Sequence, residues 1–125
     1  MYRLLVTAPI AIALLASPAL AQDVKKGERV FKRCAACHVV NSDKNRVGPS
    51  LQGVVGRKAG AVESFKYSKA LMDKAGEGLV WTKENLDTYL TNPKKMIPRG
   101  KMAFAGLRKE DQRADVIAYI EAAGK

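Results

Sequence analysis

With 125 residues the chain is long enough for one small domain and too short for two. It carries 22 Lys and Arg against 12 Asp and Glu, a formal charge of +10, so its partners are acidic. No aromatic-rich basic run or nucleic-acid motif accompanies that charge, which excludes nucleic acid and leaves an acidic protein surface as the expected partner.

The first 21 residues read as a secretory leader. A basic start at Arg3, an apolar stretch from Leu4 to Leu15 and the small-residue site Ala19-Leu20-Ala21 predict cleavage before Gln22. As a membrane anchor, Leu4 to Leu20 is only 17 residues, interrupted by Pro9 and Pro18. The expected mature domain, residues 22–125, keeps 21 basic and 12 acidic residues in an exported, periplasmic setting.

That domain shows neither internal repeat nor low-complexity segment. Asp23 is the expected N-cap of a first helix with Val24, Gly27, Phe31 and Cys34 on one face at steps of three and four. A glycine on that buried stripe costs helix stability and makes sense where another helix crosses closely.

The stripe runs into Cys34-Ala35-Ala36-Cys37-His38, which contains both cysteines and the only histidine of the chain. Two thiols three residues apart followed by an imidazole form the attachment sequence of a c-type haem. On a helical turn the three side chains address one flat cofactor, the thiols bonding to its vinyl groups and His38 offering a ring nitrogen to the iron. A structural zinc site wants four such ligands and finds three. A thioredoxin-like pair lacks the accompanying strand pattern, and a Cys34–Cys37 disulfide closes too short a loop to stabilise much.

Val39 to Gly60 is turn-rich, with Gly48-Pro49, Gly53, Gly56 and Gly60, and is expected to wrap the haem edge as an irregular loop. Ser68 caps a short predicted helix through Lys74 that stops near Gly76. Thr82 caps the next, to Leu90, with Trp81 and Leu86 spaced as a hydrophobic staple. Asn92-Pro93 ends it and opens another turn. The last helix runs from Lys109 to Ala123 on an apolar stripe of Val116, Ile117, Ile120 and Ala123, with Gly124 as its stop.

A second iron ligand is sought among Met72, Met96 and Met102. Met72 lies mid-helix, where methionine fills cores, and Met96 follows Lys94-Lys95. Met102 lies in Ile97-Pro98-Arg99-Gly100-Lys101-Met102-Ala103-Phe104-Ala105-Gly106, whose proline and glycines forbid a regular helix and let the backbone carry a side chain over a flat ligand, so it is favoured.

The chain resembles the class I c-type cytochromes, mitochondrial cytochrome c and its soluble bacterial counterparts. The resemblance rests on Gly27 to Phe31, Cys34 to His38, Val47 to Leu51, Gly56-Arg57-Lys58, Phe65 to Tyr67, Trp81, Tyr89-Leu90, Asn92 to Lys95, Lys101 to Gly106 and Ile117-Ala118-Tyr119. It implies an all-α fold of four to five helices around one haem c, covalent through Cys34 and Cys37, with His38 and Met102 as axial ligands. It further implies that Pro49 orients His38, that Tyr89 lies near Met102, and that Arg57, Tyr67 and Trp81 hold the propionates. Arg33, Lys94, Lys95, Lys101, Arg108 and Lys109 would surround the exposed haem edge. Two departures stand out. Arg99-Gly100 replaces the usual glycine and threonine, removing a hydroxyl offered to a propionate, and Leu71 to Gly78 is longer than in the mitochondrial protein.

With both axial positions filled, the iron changes charge instead of binding oxygen or peroxide. The expected function is one-electron carriage by a monomer, not enzymatic turnover. The partners would be the acidic surfaces of a cytochrome bc-type reductase, a terminal oxidase or a reaction centre. The competing readings are a haem peroxidase or gas binder with Met102 off the iron, and a thiol–disulfide oxidoreductase.

Overall fold

The computed structural model describes residues 5–13 and 22–125. The expected cleavage site at Ala21 lies outside the described residues. Among the described residues, no helix is long and apolar enough to cross a membrane.

Five helices appear among the described residues: α1 (Val24–Phe31), α2 (Lys69–Gly76), α3 (Lys83–Thr91), α4 (Pro93–Met96) and α5 (Glu110–Ala123). Each of the first four starts where a short polar side chain can accept a backbone N–H that the helix leaves unpaired. Asp23 accepts from Lys26 at 3.1 Å, Ser68 from Leu71 at 3.1 Å, Thr82 from Asn85 at 3.1 Å and Asn92 from Lys95 at 3.3 Å. α5 has no side-chain cap. Lys109, expected inside this helix, is instead its extended N-cap residue, and Glu110 and Asp111 place negative charge in the first turn.

The core forms where α1 crosses α5. Gly27 is buried at the crossing, where an added Cβ would overlap the Asp115 carbonyl oxygen and come within 2.8 Å of Tyr119 Cβ. One turn on, the Phe31 and Tyr119 rings pack with centroids 5.2 Å apart. Val24, expected on the same face, is 44% exposed, because the stripe that meets α5 begins only at Gly27. Val116, Ile117 and Ile120 of α5 join Phe31, Leu86, Ile97 and Leu107 in a single cluster. Trp81 and Leu86, the two ends of the expected staple, are both buried in it.

Two polar residues of α5 are also buried. Asp115 accepts from the Asp23 backbone N–H at 2.8 Å, tying the start of α1 to α5. The Arg113 guanidinium donates to Asp87 Oδ1 at 2.7 Å and to the carbonyls of Leu107 and Arg108 at 2.9 and 3.0 Å. The segment from Val39 to Gly60 is irregular, as expected from its glycines, and is anchored by backbone pairing with 79–81. Gly56 donates to Trp81, Trp81 to Arg57 and Ala59 to Leu79, around an isolated bridge between Lys58 and Val80.

Candidate functional site

The helical course of α1 does not stop abruptly at Phe31. Cys34 and Ala35 donate to the Phe31 carbonyl at 2.7 and 2.9 Å, and Cys37 and His38 donate to the Cys34 carbonyl at 3.0 and 2.9 Å. This continuing turn holds the three side chains of the motif together. Both thiols are free and half-buried. Burial pushes the Cys34 thiol above its ordinary pKa, against the pull of Arg33, so it carries its proton at neutral pH.

The loop after the motif folds back to fix His38. Its Nδ1 lies 2.8 Å from the Pro49 carbonyl oxygen, which can only accept, so Nδ1 carries the proton and the Nε2 lone pair is left for a metal. The face of the ring rests on Gly48, where a Cβ would overlap Cε1 and sit 2.7 Å from Nδ1. Gly48 is pinned in turn by donating to the Cys37 carbonyl at 2.9 Å, and Arg46 Nη1 donates to the Ala35 carbonyl at 3.0 Å. Burial holds the imidazole below its ordinary pKa, and the nearby Arg57 charge acts the same way against the Pro49 hydrogen bond. The neutral, metal-binding form is therefore favoured.

Arg57 is half-buried. Its two terminal nitrogens donate to Gln52 and Ser50 carbonyls, both at 3.0 Å, while its buried Nε has no partner among the described residues. Burial lowers the Arg57 guanidinium pKa from its ordinary value, opposed by the nearby Tyr67, whose hydroxyl accepts from the Val62 N–H at 3.1 Å. Trp81 is buried with its ring centroid 4.9 Å from that of Tyr89. The Tyr89 hydroxyl, kept protonated by burial, donates to Met102 Sδ at 4.0 Å, a weak contact with a weak acceptor.

Of the three methionines weighed as ligands, Met72 is 46% exposed with its sulfur against Gly60, and Met96 packs on the core next to Leu79. Met102 is half-buried in an irregular loop whose ends are fixed by the fully buried Ile97 and Leu107. Lys94 Nζ donates to the Gly100 carbonyl at 2.9 Å and Lys101 Nζ to the Lys66 carbonyl at 3.1 Å, holding the loop on both sides. Arg33, Lys94, Lys95, Lys101, Arg108 and Lys109 are all exposed. Arg46 and Arg113 were not anticipated. Their partners are backbone carbonyls presented by the folded turns at Ala35, Leu107 and Arg108, and for Arg113 also a carboxylate on another helix, none of which leaves a residue pattern in the sequence.

Two free thiols, a neutral imidazole with a committed tautomer and a small helical frame define a c-type haem protein. A sequence model of the family described as Cytochrome c matches residues 24–124. The chain is 56% identical over 100 residues to cytochrome c type-1 of Ascaris suum, covering 79% of this chain and 87% of that one. It is 50% identical over 99 residues to cytochrome c2 of Agrobacterium tumefaciens (strain II Chrys), covering 78% and 89%. Among solved structures, cytochrome cH from Methylobacterium extorquens superposes with a TM-score of 0.73 at 40% identity, over 80% of this chain and 98% of that one. The chain belongs to the cytochrome c family, and its function is electron transfer with one covalent haem c, not enzymatic turnover.

The residues present fit that group. Addition of a protonated thiol across a vinyl group consumes the S–H and needs no oxidant, which suits the free Cys34 and Cys37. The unpartnered Arg57 Nε is a buried donor suited to a carboxylate such as a propionate.

Proposed function

We propose that this cytochrome carries single electrons through a haem bonded to Cys34 and Cys37, with His38 and Met102 as its axial ligands. The observation that carries this reading is the 2.8 Å contact between His38 Nδ1 and the Pro49 carbonyl, which commits Nε2 to accept a metal. The haem supplies a reversible one-electron couple when bound. Around it, His38 contributes a neutral nitrogen and Met102 a soft sulfur that favours the reduced state. Tyr89 orients that sulfur, and Arg57, Tyr67 and Trp81 offer donors to the propionates.

Residues 1–21 act as a leader removed after export, and 22–125 form the working domain, a periplasmic monomer. The redox partners are acidic surfaces of membrane or periplasmic complexes, of the cytochrome bc-type reductase, terminal oxidase or reaction-centre kind. The formal +9 of residues 22–125 and the exposed Arg33, Lys94, Lys95, Lys101, Arg108 and Lys109 support this choice.

Two measurements on the mature protein test the reading. Denatured protein should keep the mass of one haem and show no free thiol, whereas extractable haem would refute attachment at Cys34 and Cys37. The oxidised absorption spectrum should contain the methionine-to-iron charge-transfer band. A high-spin spectrum without it would instead favour a peroxidase or gas-binding site.

A further inference from the structure

Ile97 to Gly100 form a tight turn closed by the Gly100 N–H donating to the Ile97 carbonyl at 3.1 Å. Pro98 occupies the second position, where its fixed φ is an advantage, and Arg99 the third, with φ 68°. That third position demands left-handed backbone and selects glycine, because a Cβ there crowds the chain. Arg99 is the only non-glycine residue with positive φ among the described residues. The turn therefore carries a conformational cost that glycine would remove.

The Arg99 side chain does not recover this cost within the domain. It is exposed, and among the described residues its guanidinium makes no hydrogen bond or ion pair. What the position does provide is placement. The neighbouring Gly100 carbonyl is held by Lys94 Nζ, and Lys101 is bound to the Lys66 carbonyl, so the turn is locked against α4 between two lysines of the proposed docking face.

We infer that Arg99 is a partner-recognition residue, held at a strained turn so that its guanidinium fork meets a carboxylate on an acidic protein surface. This deepens the electron-carrier reading and rests on its docking face. Lysines give that face point charges, whereas Arg99 adds two parallel donors on one rigid plane, a geometry that selects a carboxylate by shape as well as by charge.

The test uses the haem-loaded protein with poly-L-glutamate as the carboxylate probe, measuring binding at low ionic strength and the thermal midpoint. Arg99→Gly should raise the midpoint, weaken binding about threefold, as loss of one exposed ion pair allows, and leave the haem spectrum intact. Arg99→Gln should weaken binding equally without raising the midpoint. Lys125→Gln, which removes the same charge at the C-terminus, should change binding less. A lower midpoint for Arg99→Gly would overturn the strain argument, and an equal effect of Lys125→Gln would show that only net charge matters. If Arg99→Gly and Arg99→Gln bind as tightly as the unaltered protein while Lys101→Glu binds weakly, Arg99 has no docking role but the docking face stands. If Lys101→Glu also binds normally, the face itself is wrong.

Discussion

Arg113 of α5 donates to Asp87 of α3 at 2.7 Å, and the same guanidinium closes on the Leu107 and Arg108 carbonyls, where the Met102 loop ends. One side chain thus joins two helices to the Met102 loop. Arg113→Met removes the donors of two carbonyls, one in a buried contact, and should lower stability by about 2 kcal/mol, read from denaturant titration. Arg113→Lys should recover little of it, because one ammonium cannot reproduce the guanidinium fork. Unchanged stability in Arg113→Met would mean that the two carbonyls find other donors at no cost.

Gly27→Ala sets two effects against each other. Replacing a helical glycine by alanine gains roughly 1 kcal/mol of helix propensity, while forcing a methyl into a packed contact costs about 1–3 kcal/mol. Because the new Cβ would overlap the Asp115 carbonyl and crowd Tyr119, packing should win and the thermal midpoint should fall. A raised midpoint would show that α1 and α5 separate easily.

Met102→Ala should abolish the methionine-to-iron charge-transfer band, lower the reduction potential and admit small ligands to the iron. Met72→Ala and Met96→Ala should preserve the band. Met72 is half in solvent and should cost little stability, whereas Met96 packs against the core and should lower it by about 2 kcal/mol or more, measured by thermal unfolding. Loss of the band in Met96→Ala, with Met102→Ala unchanged, would move the ligand to α4.

Association with an acidic redox partner should slow steeply as ionic strength rises, measured by stopped-flow electron transfer. Reversing Lys101 or Lys94 to Glu should slow it more than reversing Lys125. These two lysines also hold the Lys66 and Gly100 carbonyls, so the haem spectrum must be recorded with each variant. Equal slowing at all three positions would leave net charge as the sole determinant.

Local chemistry was the legible part of the sequence. Asp23, Ser68 and Thr82 each cap the helix they are expected to start, because a cap needs only a short side chain and an N–H three residues on, and Asn92, expected only to end one helix and open a turn, caps α4 in the same way. Gly27 could be anticipated at a helix crossing because a glycine on a buried stripe is unfavourable without a neighbour. The motif at 34–38 carries its chemistry within five residues. By contrast, the burial of Arg113 and Asp115 depends on partners 26 and 92 positions away, and both look like surface residues in sequence. The left-handed Arg99 was hidden for a related reason. Its neighbours mark a turn, but only the closed backbone shows which residue occupies the glycine position.

The clamp on His38 has a consequence for speed. Pro49 holds the edge of the ring and Gly48 one of its faces, so rotation of the imidazole and tilting toward Gly48 are both opposed. With His38 as the proposed iron ligand, an electron arriving or leaving would find that ligand already where both oxidation states require it. Little readjustment of the histidine would then accompany the transfer, and distance to the partner would be the limiting quantity.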